Sequence, residues 1–465
     1  MTDTTKANYT RMPGRRDRLH HRPTAAFVML LGMLVSGVHT AVAQERDPDI
    51  ATLEATPGQF GVVRGHTRSD VIVAWNELAH DIAFAEDQFL TFKGQRAMAM
   101  MHLAMHDALN SIVPVYRRYA YTGSRMPADP VAAAAQGAYS VLLSEYPGQQ
   151  PRLAAELAAW LGHVPNGTPR ERGLELGQAV ALAILNRRSN DGFDDPGTYE
   201  FRSGPGEYQT TPPWNGFVAQ PGFRFAKPFA LDAPSQYRPS PPPPLTSTVY
   251  ARAFREIKDY GAIDSARRSE DQTAYALWWM EFAEGSVNRL ARHLTAERRT
   301  HLWVAARLFA HLDVALFDAY VATWDSKYEY NDWRPYTAVR AADTDNNPRT
   351  QPEPGWEPLR PTPPFPEYAS AHATACAASF GILERALGND VSFTVETTTA
   401  PPGMPTRAFK NFRAAAAECA DSRVRLGWHF RYSTDAGLAL GQRIAHHTVN
   451  GTLQKLEPRH HGDRK

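Results

Sequence analysis

Cysteine is nearly absent from this 465-residue sequence, which contains only Cys376 and Cys419. Two cysteines exclude a disulfide-built scaffold and a cysteine-rich zinc or iron–sulfur fold. Neither sign of charge is in excess, because 50 Lys and Arg residues oppose 49 Asp and Glu residues. This balance provides no general electrostatic field for nucleic acid or an acidic membrane surface, so neither is an expected partner. Any anion site must therefore be a local cluster.

Long hydrophobic runs are also lacking, apart from a short one near the N-terminus. Six Lys and Arg residues precede an uncharged run at 24–44, whose apolar part at 25–38 is short for a membrane span. The letters "AVA" at 41–43 fit a cleavage site. We therefore predict a signal peptide at 1–43 and a periplasmic or secreted protein without a membrane span after its removal. An uncleaved anchor is the alternative.

Strand patterns are scarce and helical periodicity dominates the rest of the chain. Apolar residues recur at helical spacing from Val71 and again from Ala97. The letters "TPRE" at 168–171 predict a capping box for a helix that runs to Gly192. Only "VSFTVE" at 391–396 alternates as a strand would. We therefore predict an all-α protein, with later helices at 247–260, 269–285, 295–326, 371–387 and 408–423, and another from about residue 435.

One long segment, residues 193–245, interrupts the helices. It holds 12 of the 36 prolines and ends in "PPPP". Linkers are poor in aromatic residues, but this segment has several, so it is predicted to be a packed surface loop that borders a pocket. The predicted organisation is a signal peptide at 1–43, an N-terminal helical half at 44–192, this loop, and a C-terminal helical half at 246–465.

The first motif in the C-terminal half is "KYEYNDWRP", which contains Lys327 and Arg334. Seven residues are two helical turns, so the two cations share a face if the segment is helical up to Pro335. The compact ammonium group of lysine and the planar guanidinium group of arginine together suit a tetrahedral oxyanion. Alone, this pattern is more often a solvated basic face.

The second motif is "PPFPEYASAHAT", a proline-rich approach to an apolar helix. Ser370 stands before the helix, which begins at Ala371, and His372 lies in its first turn. Backbone N–H groups and a hydroxyl at a helix N-terminus can bind an anion. The simpler interpretation is a serine cap followed by an exposed histidine.

The third motif is "SRVRLGWHF", in which Arg423 and His429 are six residues apart. This spacing does not place them on one face of a regular helix, but Gly427 between them can end the helix and turn His429 back. Each motif alone is weak. Their conjunction predicts an oxyanion site made from cations, a helix N-terminus and imidazoles.

In this order the three motifs resemble those of the vanadium-dependent haloperoxidases and the related type 2 phosphatidic acid phosphatase superfamily. The resemblance is strongest over 306–335 and 363–374 and extends loosely over about residues 69–450. It implies an all-α fold of two packed four-helix-bundle-like halves with long loops. That duplication is not visible as an internal sequence repeat.

The resemblance also implies a set of residues that bind vanadate, or phosphate in a phosphatase. Lys327, Arg334 and Arg423 would hold the equatorial oxygens. Ser370 and the backbone N–H of Ala371 would complete this cradle. One basic cradle can serve both chemistries, because pentacoordinate vanadate resembles the transition state of phosphoryl transfer.

Further roles follow from the same resemblance. His429 would be the axial vanadium ligand or, in a phosphatase, the nucleophile, and His372 would be the acid–base residue. Glu284, in "WWMEFAEGS", is predicted to orient His372, although a solvated carboxylate at a helix end is the alternative. Trp324 and Phe365 match aromatic positions of the halide pocket in chloroperoxidase-type members, although core packing is the commoner role of such residues.

Two positions depart from the pattern. Ala371 stands where the family usually has glycine, so a positive φ there would cost about 1 kcal/mol or more. The phosphatases carry an aspartate four residues after the last histidine, where this chain has Ser433, with Asp435 two residues later. His429 is therefore expected to lack its usual carboxylate partner, which weakens the phosphatase interpretation.

The resemblance favours a vanadate-dependent haloperoxidase that oxidises halide with hydrogen peroxide and halogenates a small organic substrate. A soluble acid phosphatase acting on phosphate esters is the first alternative. An inactive oxyanion-binding member of the same fold is the second.

The last expectations concern residues outside the three motifs. Cys376 and Cys419 are predicted to pair, because their helices lead to motifs that must converge, although two buried free thiols are nearly as well supported. His102 and His106 have the spacing of metal ligands on a helix, but no third ligand is visible, so packed helix residues are favoured.

Overall fold

The computed structural model describes residues 69–456, and the signal peptide predicted at 1–43 lies outside this range. Between those limits the chain forms 13 α-helices and two short strands, so the all-α prediction is confirmed. The helices are α1 (Asp70–Asp87), α2 (Lys93–Ile112), α3 (Pro130–Glu145), α4 (Gln150–Gly162), α5 (Thr168–Arg188), α6 (Thr248–Gly261), α7 (Glu270–Trp278), α8 (Ala283–Glu297), α9 (Leu302–Tyr330), α10 (Pro335–Arg340), α11 (Ala371–Leu387), α12 (Phe412–Arg425) and α13 (Arg431–Gly451). The strands are β1 (Phe393–Glu396) and β2 (Thr406–Phe409), which pair antiparallel.

The N-terminal helices pack around α2. This helix is buried along nearly its whole length and contacts α1, α3 and α5. Methionine and alanine supply most of its apolar surface, and the unbranched methionines adapt to irregular gaps between neighbouring helices. The result is a first group of four packed helices.

The C-terminal helices pack around α9 and α11. The 29-residue α9 contacts α11, α13 and also α2, so it joins the second group to the first. Helix α11 contacts α12 and α13. The seam with α13 is close, because a Cβ atom on Gly437 would lie 2.7 Å from the carbonyl oxygen of Ser370. Glycine thereby lets α13 lie against the start of α11, which places two of the three motifs side by side.

The segment between α5 and α6 has no α-helix and only a short 3₁₀ turn at Pro221–Phe225. Phe223 and Phe229 are buried and contact the ring of Phe317 on α9 at centroid distances of 5.6 and 5.0 Å. The segment also borders the second motif, because the Ala219 N–H donates to the carbonyl oxygen of Pro364 at 2.8 Å. Trp214, Phe217 and Phe225 are exposed.

A buried carboxylate on α9 fixes the end of this segment. Asp318 accepts hydrogen bonds from the backbone N–H groups of Phe229, Ala230 and Leu231. Burial raises the pKa of Asp318 to about 6, although these three donors oppose the shift. The aromatic side chains of the loop are thereby fastened to the same helix that carries Lys327.

Several predicted helix boundaries need correction. The capping box at 168–171 is wrong, because Gly167 is the N-cap of α5 and no side chain caps that end. The helix ends at Arg188 rather than Gly192. The predicted helix at 269–285 is two helices, α7 and α8, separated by a turn. Helix α11 has the predicted bounds of 371–387.

A disulfide bond joins α11 to α12, so the predicted pairing of the two cysteines is confirmed. Cys376 and Cys419 are bonded, with their Cα atoms 6.6 Å apart. A disulfide requires neighbouring backbones. It therefore ties α11, which begins within the second motif, to α12, which leads into the third motif. None of the helices in residues 69–456 combines the length and apolarity needed to cross a bilayer.

Candidate active site

The first motif lies across a helix end. Helix α9 ends at Tyr330, and Asn331 takes a left-handed conformation with φ of 50° while its N–H donates to the carbonyl oxygen of Lys327. Arg334 is the N-cap of α10, and Pro335 is its first residue. The prediction that Lys327 and Arg334 share a helix face is therefore wrong. The turn between the helices brings them together instead.

The two cations meet at the ring of Phe365. The Nζ atom of Lys327 lies 5.0 Å from the ring centroid, and the guanidinium carbon of Arg334 lies 4.9 Å from it. Both side chains are fully buried. Nζ of Lys327 donates to the carbonyl oxygens of Pro366 and Glu367, each at 2.9 Å. Burial, followed by the charge of Arg334, holds the pKa of Lys327 well below its ordinary value.

The second motif presents a helix N-terminus. Ser370 is the N-cap of α11, but its hydroxyl does not cap the helix. Ala371 is the first helical residue, and its φ is not positive, so the strain expected from the missing glycine is absent. The backbone N–H of Ala371 is one of the donors at this helix end that have no acceptor within the helix.

In the third motif the chain turns at Gly427, as the sequence predicts. Helix α12 ends at Arg425, and Gly427 adopts a φ of 79°. A Cβ atom there would lie 2.7 Å from the carbonyl oxygen of Gly261, so a larger residue is excluded by contact as well as by conformation. The turn carries His429 back beside Arg334, whose Nη1 atom lies 3.1 Å from its Nε2 atom.

His429 stands where the cationic residues converge. Burial holds its pKa well below the ordinary value, and the charges of Arg334, Lys327 and Arg423 lower that pKa further. His372 adds a smaller effect in the same direction. Lys327, Arg334, Arg423 and His372 thus all act electrostatically on His429, although they come from different helix ends.

Three buried donors on the predicted oxyanion-binding residues have no partner among residues 69–456. They are Nη2 of Arg334, Nη1 of Arg423 and Oγ of Ser370. A buried polar group without a hydrogen bond is costly, and a guanidinium nitrogen more so than a hydroxyl. All three groups donate readily to an oxyanion. The residues therefore fit a bound vanadate or phosphate, which would satisfy each of them.

Arg423 is otherwise tightly held. Its Nε atom donates to the hydroxyl of Ser422 at 2.9 Å, and its Nη2 atom donates to the carbonyl oxygen of Trp279 at 2.5 Å. Burial lowers its pKa to about 9. Two of its three nitrogens are fixed by the protein, so the remaining one is pre-positioned for a ligand.

The predicted contact between Glu284 and His372 is wrong. Nε2 of His372 donates instead to the backbone carbonyl oxygen of Glu281 at 2.9 Å. Glu284 accepts hydrogen bonds from Gln95 of α2 and, at 2.8 Å, from the hydroxyl of Tyr320 on α9. The reason is the turn before α8, because that helix begins at residue 283 and its first turn faces α2 and α9. Burial raises the pKa of Glu284 to about 7.

Burial, followed by the charge of Arg423, holds the pKa of His372 well below its ordinary value. The ring is therefore neutral at physiological pH. The backbone carbonyl groups of Glu281 and Trp279 favour the protonated ring and oppose this shift. Backbone carbonyl groups rather than a carboxylate therefore hold the ring of His372.

An aromatic wall lies next to the cations. The rings of Trp324 and Phe365 are 4.9 Å apart between centroids, and Phe92 meets Trp324 edge-on at 4.6 Å. Trp324 is buried, and Phe365 is partly buried between the indole and the two cations. The two residues predicted for a halide pocket therefore form one surface with Lys327 and Arg334.

Sequence reasoning missed one residue of the site, Glu367. It is fully buried, and its Oε1 atom lies 2.9 Å from Nδ1 of His429. Burial raises the pKa of Glu367, while the charges of Arg334 and Lys327 oppose the shift. The available signal was the one charged residue in the proline-rich approach "PPFPEY", which is weak because a glutamate in a loop is ordinarily exposed.

The pair of histidines on α2 makes different contacts. Nδ1 of His102 lies 2.6 Å from Oδ2 of Asp313, and Nδ1 of His106 lies 3.3 Å from Oδ1 of Asp107. In the described part of the chain no group of three or more His, Cys, Asp or Glu residues is arranged to hold a metal ion.

Comparison with known proteins relates the chain to vanadium enzymes. A family model described as the VCPO second helical-bundle domain matches residues 307–457, which include all three motifs. A vanadium chloroperoxidase from Curvularia inaequalis is 29% identical over 377 residues, which are 62% of this chain. The chain spans about 60% of the length of that relative.

Solved structures show the same fold. A structure of a bacterial vanadium-dependent iodoperoxidase matches with a TM-score of 0.72 at 22% identity, over 85% of this chain and 99% of that one. Apo and holo structures of a bacterial vanadium-dependent chloroperoxidase match with TM-scores of 0.62 and 0.61, at 19% and 18% identity. They cover 78% and 79% of this chain and 92% and 94% of theirs. The motifs, the family model, the curated relative and the fold agree that this chain is similar to the vanadium haloperoxidases.

Proposed function

We propose that this protein is a vanadate-dependent haloperoxidase that oxidises halide with hydrogen peroxide and delivers the oxidised halogen to a small organic substrate. The observation that carries the proposal is the set of unpartnered buried donors on Arg334, Arg423 and Ser370 beside His429. When bound, vanadate would supply the activation of peroxide. The chemistry left to the protein is to hold the oxyanion, manage protons and limit access of water.

The cradle residues divide the work of binding. Lys327, Arg334 and Arg423 offset the negative charge of the oxyanion, and their burial makes each interaction stronger than it would be in water. The hydroxyl of Ser370 and the N–H of Ala371 donate from the start of α11, where the helix dipole also favours an anion. Nε2 of His429 carries a lone pair at the same point, because Arg334 can only donate to it.

The proton and halide steps fall to the neighbouring side chains. The pKa of His372 is held well below its ordinary value, so as a neutral imidazole it can take a proton from peroxide and return one later. The ring of Phe365 and the indole of Trp324 give a weakly polar surface beside two cations. Such a surface suits a poorly hydrated halide and shields a reactive halogen from bulk water.

The soluble acid phosphatase remains the second candidate, and one contact favours it. Ser433 stands where a carboxylate partner of the histidine was expected, but Glu367 contacts Nδ1 of His429 instead. A histidine held in this way is suited to attack phosphorus. The cradle alone does not separate the two chemistries, whereas the aromatic wall favours halide.

Paired assays on one purified sample test the proposal. Apo-protein supplied with orthovanadate should gain peroxide-dependent halogenation of a monochlorodimedone-type acceptor, measured with iodide, bromide and chloride in turn. Inorganic phosphate should compete for the site. Hydrolysis of p-nitrophenyl phosphate without vanadate, together with no halide oxidation in its presence, would establish the phosphatase instead. Oxyanion binding with neither activity would indicate an inactive member.

The aromatic wall gives a sharper version of the same test. Phe365→Leu should raise the KM for halide about fivefold or more, because it removes the aromatic face beside the two cations and a cation–aromatic contact contributes about 1 kcal/mol. Phosphate affinity should fall by less, because the donors on Arg334, Arg423 and Ser370 remain. Phe217→Leu removes an exposed phenyl ring from the loop and serves as the matched control. If both substitutions change the KM for halide equally, Phe365 has no specific role in halide binding.

Export is part of the proposal and rests on residues 1–43 alone. We expect the mature chain to start near residue 44, in the periplasm or outside the cell. N-terminal sequencing of protein recovered from the cell exterior or periplasm checks this expectation, and an intact Met1 would contradict it.

A further inference from the structure

We infer that Glu367 is the residue that positions His429, a task for which the sequence pattern offered no carboxylate. The inference rests on the proposed oxyanion site, since it assigns a partner to the residue at its centre. Glu367 precedes Ser370 by three residues, so it belongs to the same approach segment that delivers the helix N-terminus.

The contacts of the imidazole determine which nitrogen carries the proton. Nη1 of Arg334 lies 3.1 Å from Nε2 of His429. A guanidinium has no acceptor, so Nε2 must accept and its lone pair must face the cradle. The proton of the neutral ring therefore lies on Nδ1, where Oε1 of Glu367 accepts it at 2.9 Å. This assignment holds whether or not Glu367 is ionised, because Oε1 accepts in both states.

Glu367 is itself held in place. The same Oε1 atom accepts from the backbone N–H of Phe430 at 3.0 Å, and the Glu367 N–H donates to the carbonyl oxygen of Asp332 at 2.9 Å. Its side chain is fully buried. Through its carboxyl group and its backbone N–H, Glu367 thus joins the approach to α11 to the start of α13 and to the turn after α9.

The neighbouring hydroxyl does not replace this contact. Oγ of Ser433 lies 3.4 Å from Nδ1 of His429, which is a longer approach than that of Glu367. Ser433 lies one helical turn after His429, in the position where the resemblance led us to expect a carboxylate. In this chain the carboxylate comes from a segment 62 residues earlier.

Two substitutions of Glu367 separate positioning from charge. In Glu367→Gln the backbone N–H of Phe430 still needs an acceptor, so the amide oxygen should take the position of Oε1. From that position it still accepts the Nδ1 proton of His429. In Glu367→Ala both contacts are lost. The matched control is Asp313→Ala, because Asp313 also accepts from a buried histidine Nδ1, that of His102. Asp313 lies 14 residues before Lys327 on α9, about 21 Å along the helix.

Two readouts that do not depend on halide oxidation test the role. In apo-protein labelled with ¹⁵N-histidine, His429 should show a protonated Nδ1 and a low-field Nδ1–H proton signal, assigned by its absence in His429→Ala. Calorimetric titration with orthovanadate and with inorganic phosphate should show a 10- to 100-fold loss of affinity in Glu367→Ala. Glu367→Gln should keep the low-field signal and lose less than about fivefold in affinity. Asp313→Ala should lose only the signal of His102.

Two results would overturn the inference. The first is a wild-type His429 that carries its proton on Nε2, a measurement that requires no variant of Glu367. The second is a Glu367→Ala protein that keeps both the low-field signal and wild-type affinity for the two oxyanions. Failure of the proposed peroxidase activity differs from failure of this inference. In that case the wild-type protein would bind both oxyanions, with Nδ1 of His429 protonated, and would still oxidise no halide.

Discussion

Arg334 donates a hydrogen bond from Nη1 to Nε2 of His429 across 3.1 Å. The same nitrogen donates to the carbonyl oxygen of Trp428 at 2.9 Å, and Nε donates to the carbonyl oxygen of Phe365 at 2.8 Å. Only Nη2 remains without a partner in the described structure. The guanidinium is therefore fixed on three sides and offers one free donor next to the imidazole.

This geometry predicts that lysine cannot replace Arg334. Arg334→Lys keeps the charge but loses the planar fork that bonds His429, Trp428 and an oxyanion together. We expect vanadate and phosphate affinities to fall by about 10- to 100-fold, since one hydrogen bond to a charged group contributes about 1.5–3 kcal/mol. Titration calorimetry measures the loss. Arg340→Lys, at an exposed ion pair on α10, is the control, and equal affinities in both variants would contradict the prediction.

The two histidines of the site should differ in what they control. His429→Ala removes the lone pair at the centre of the cradle, so vanadate binding should be lost. His372→Ala removes a neutral base at the edge, so turnover should fall by about 100-fold or more while vanadate affinity changes little. Binding and rate are measured on the same samples. A His372→Ala protein that turns over normally but binds poorly would reverse the two roles.

The helices were predictable where apolar periodicity alone decides the structure. Helix α11 has the predicted bounds because its apolar run begins directly after Ser370 and ends before Gly388. The end of α9 was misplaced by several residues because Asn331, not Pro335, stops the helix with a left-handed conformation. A single asparagine is a weak stop signal, whereas a proline is a strong one that also fits the start of the next helix.

The sequence indicated which cations and imidazoles lie together, but it did not indicate all of their partners. Short motifs identified Lys327, Arg423 and His429 because each motif brings its own chemistry. The partners of His429 and Glu284 could not be read from spacing, since Glu367 and Gln95 come from distant segments. Such contacts depend on how helices pack, and the residues after His429 offer Ser433 at the expected position and a carboxylate only at Asp435.

The disulfide should support stability more than catalysis. The bond closes a loop with a separation of 43 residues, and loop entropy alone stabilises the folded chain by about 4 kcal/mol, with measured effects often smaller. We expect the double variant Cys376→Ser with Cys419→Ser to unfold about 2–4 kcal/mol more readily in urea. Wild-type protein, denatured without reductant, should show no free thiols. Two titratable thiols would contradict the bridge.

The raised pKa of Glu284 predicts that the free energy of unfolding depends on pH. Its pKa is raised from 4.5 to about 7 by burial, so the folded protein binds this proton more tightly than the unfolded chain does. A carboxyl of this kind stabilises the fold most below pH 4.5, and that contribution is lost as the pH rises to about 7. Above that pH an ionised carboxylate is buried between Gln95 and Tyr320, at a cost of up to about 3 kcal/mol.

Glu284→Gln isolates this contribution because the amide stays neutral at every pH. Its oxygen can accept from Gln95, and its nitrogen can donate to the hydroxyl oxygen of Tyr320. We expect the variant to gain stability relative to wild type by about 1–3 kcal/mol between pH 4.5 and pH 8. Urea unfolding followed by circular dichroism at both pH values measures the difference. The control is Glu353→Gln, which alters a half-exposed carboxylate paired with Lys258. Its free energy of unfolding should differ little from that of wild type at either pH. Parallel stability curves for wild type and Glu284→Gln would show that Glu284 titrates normally in the folded protein.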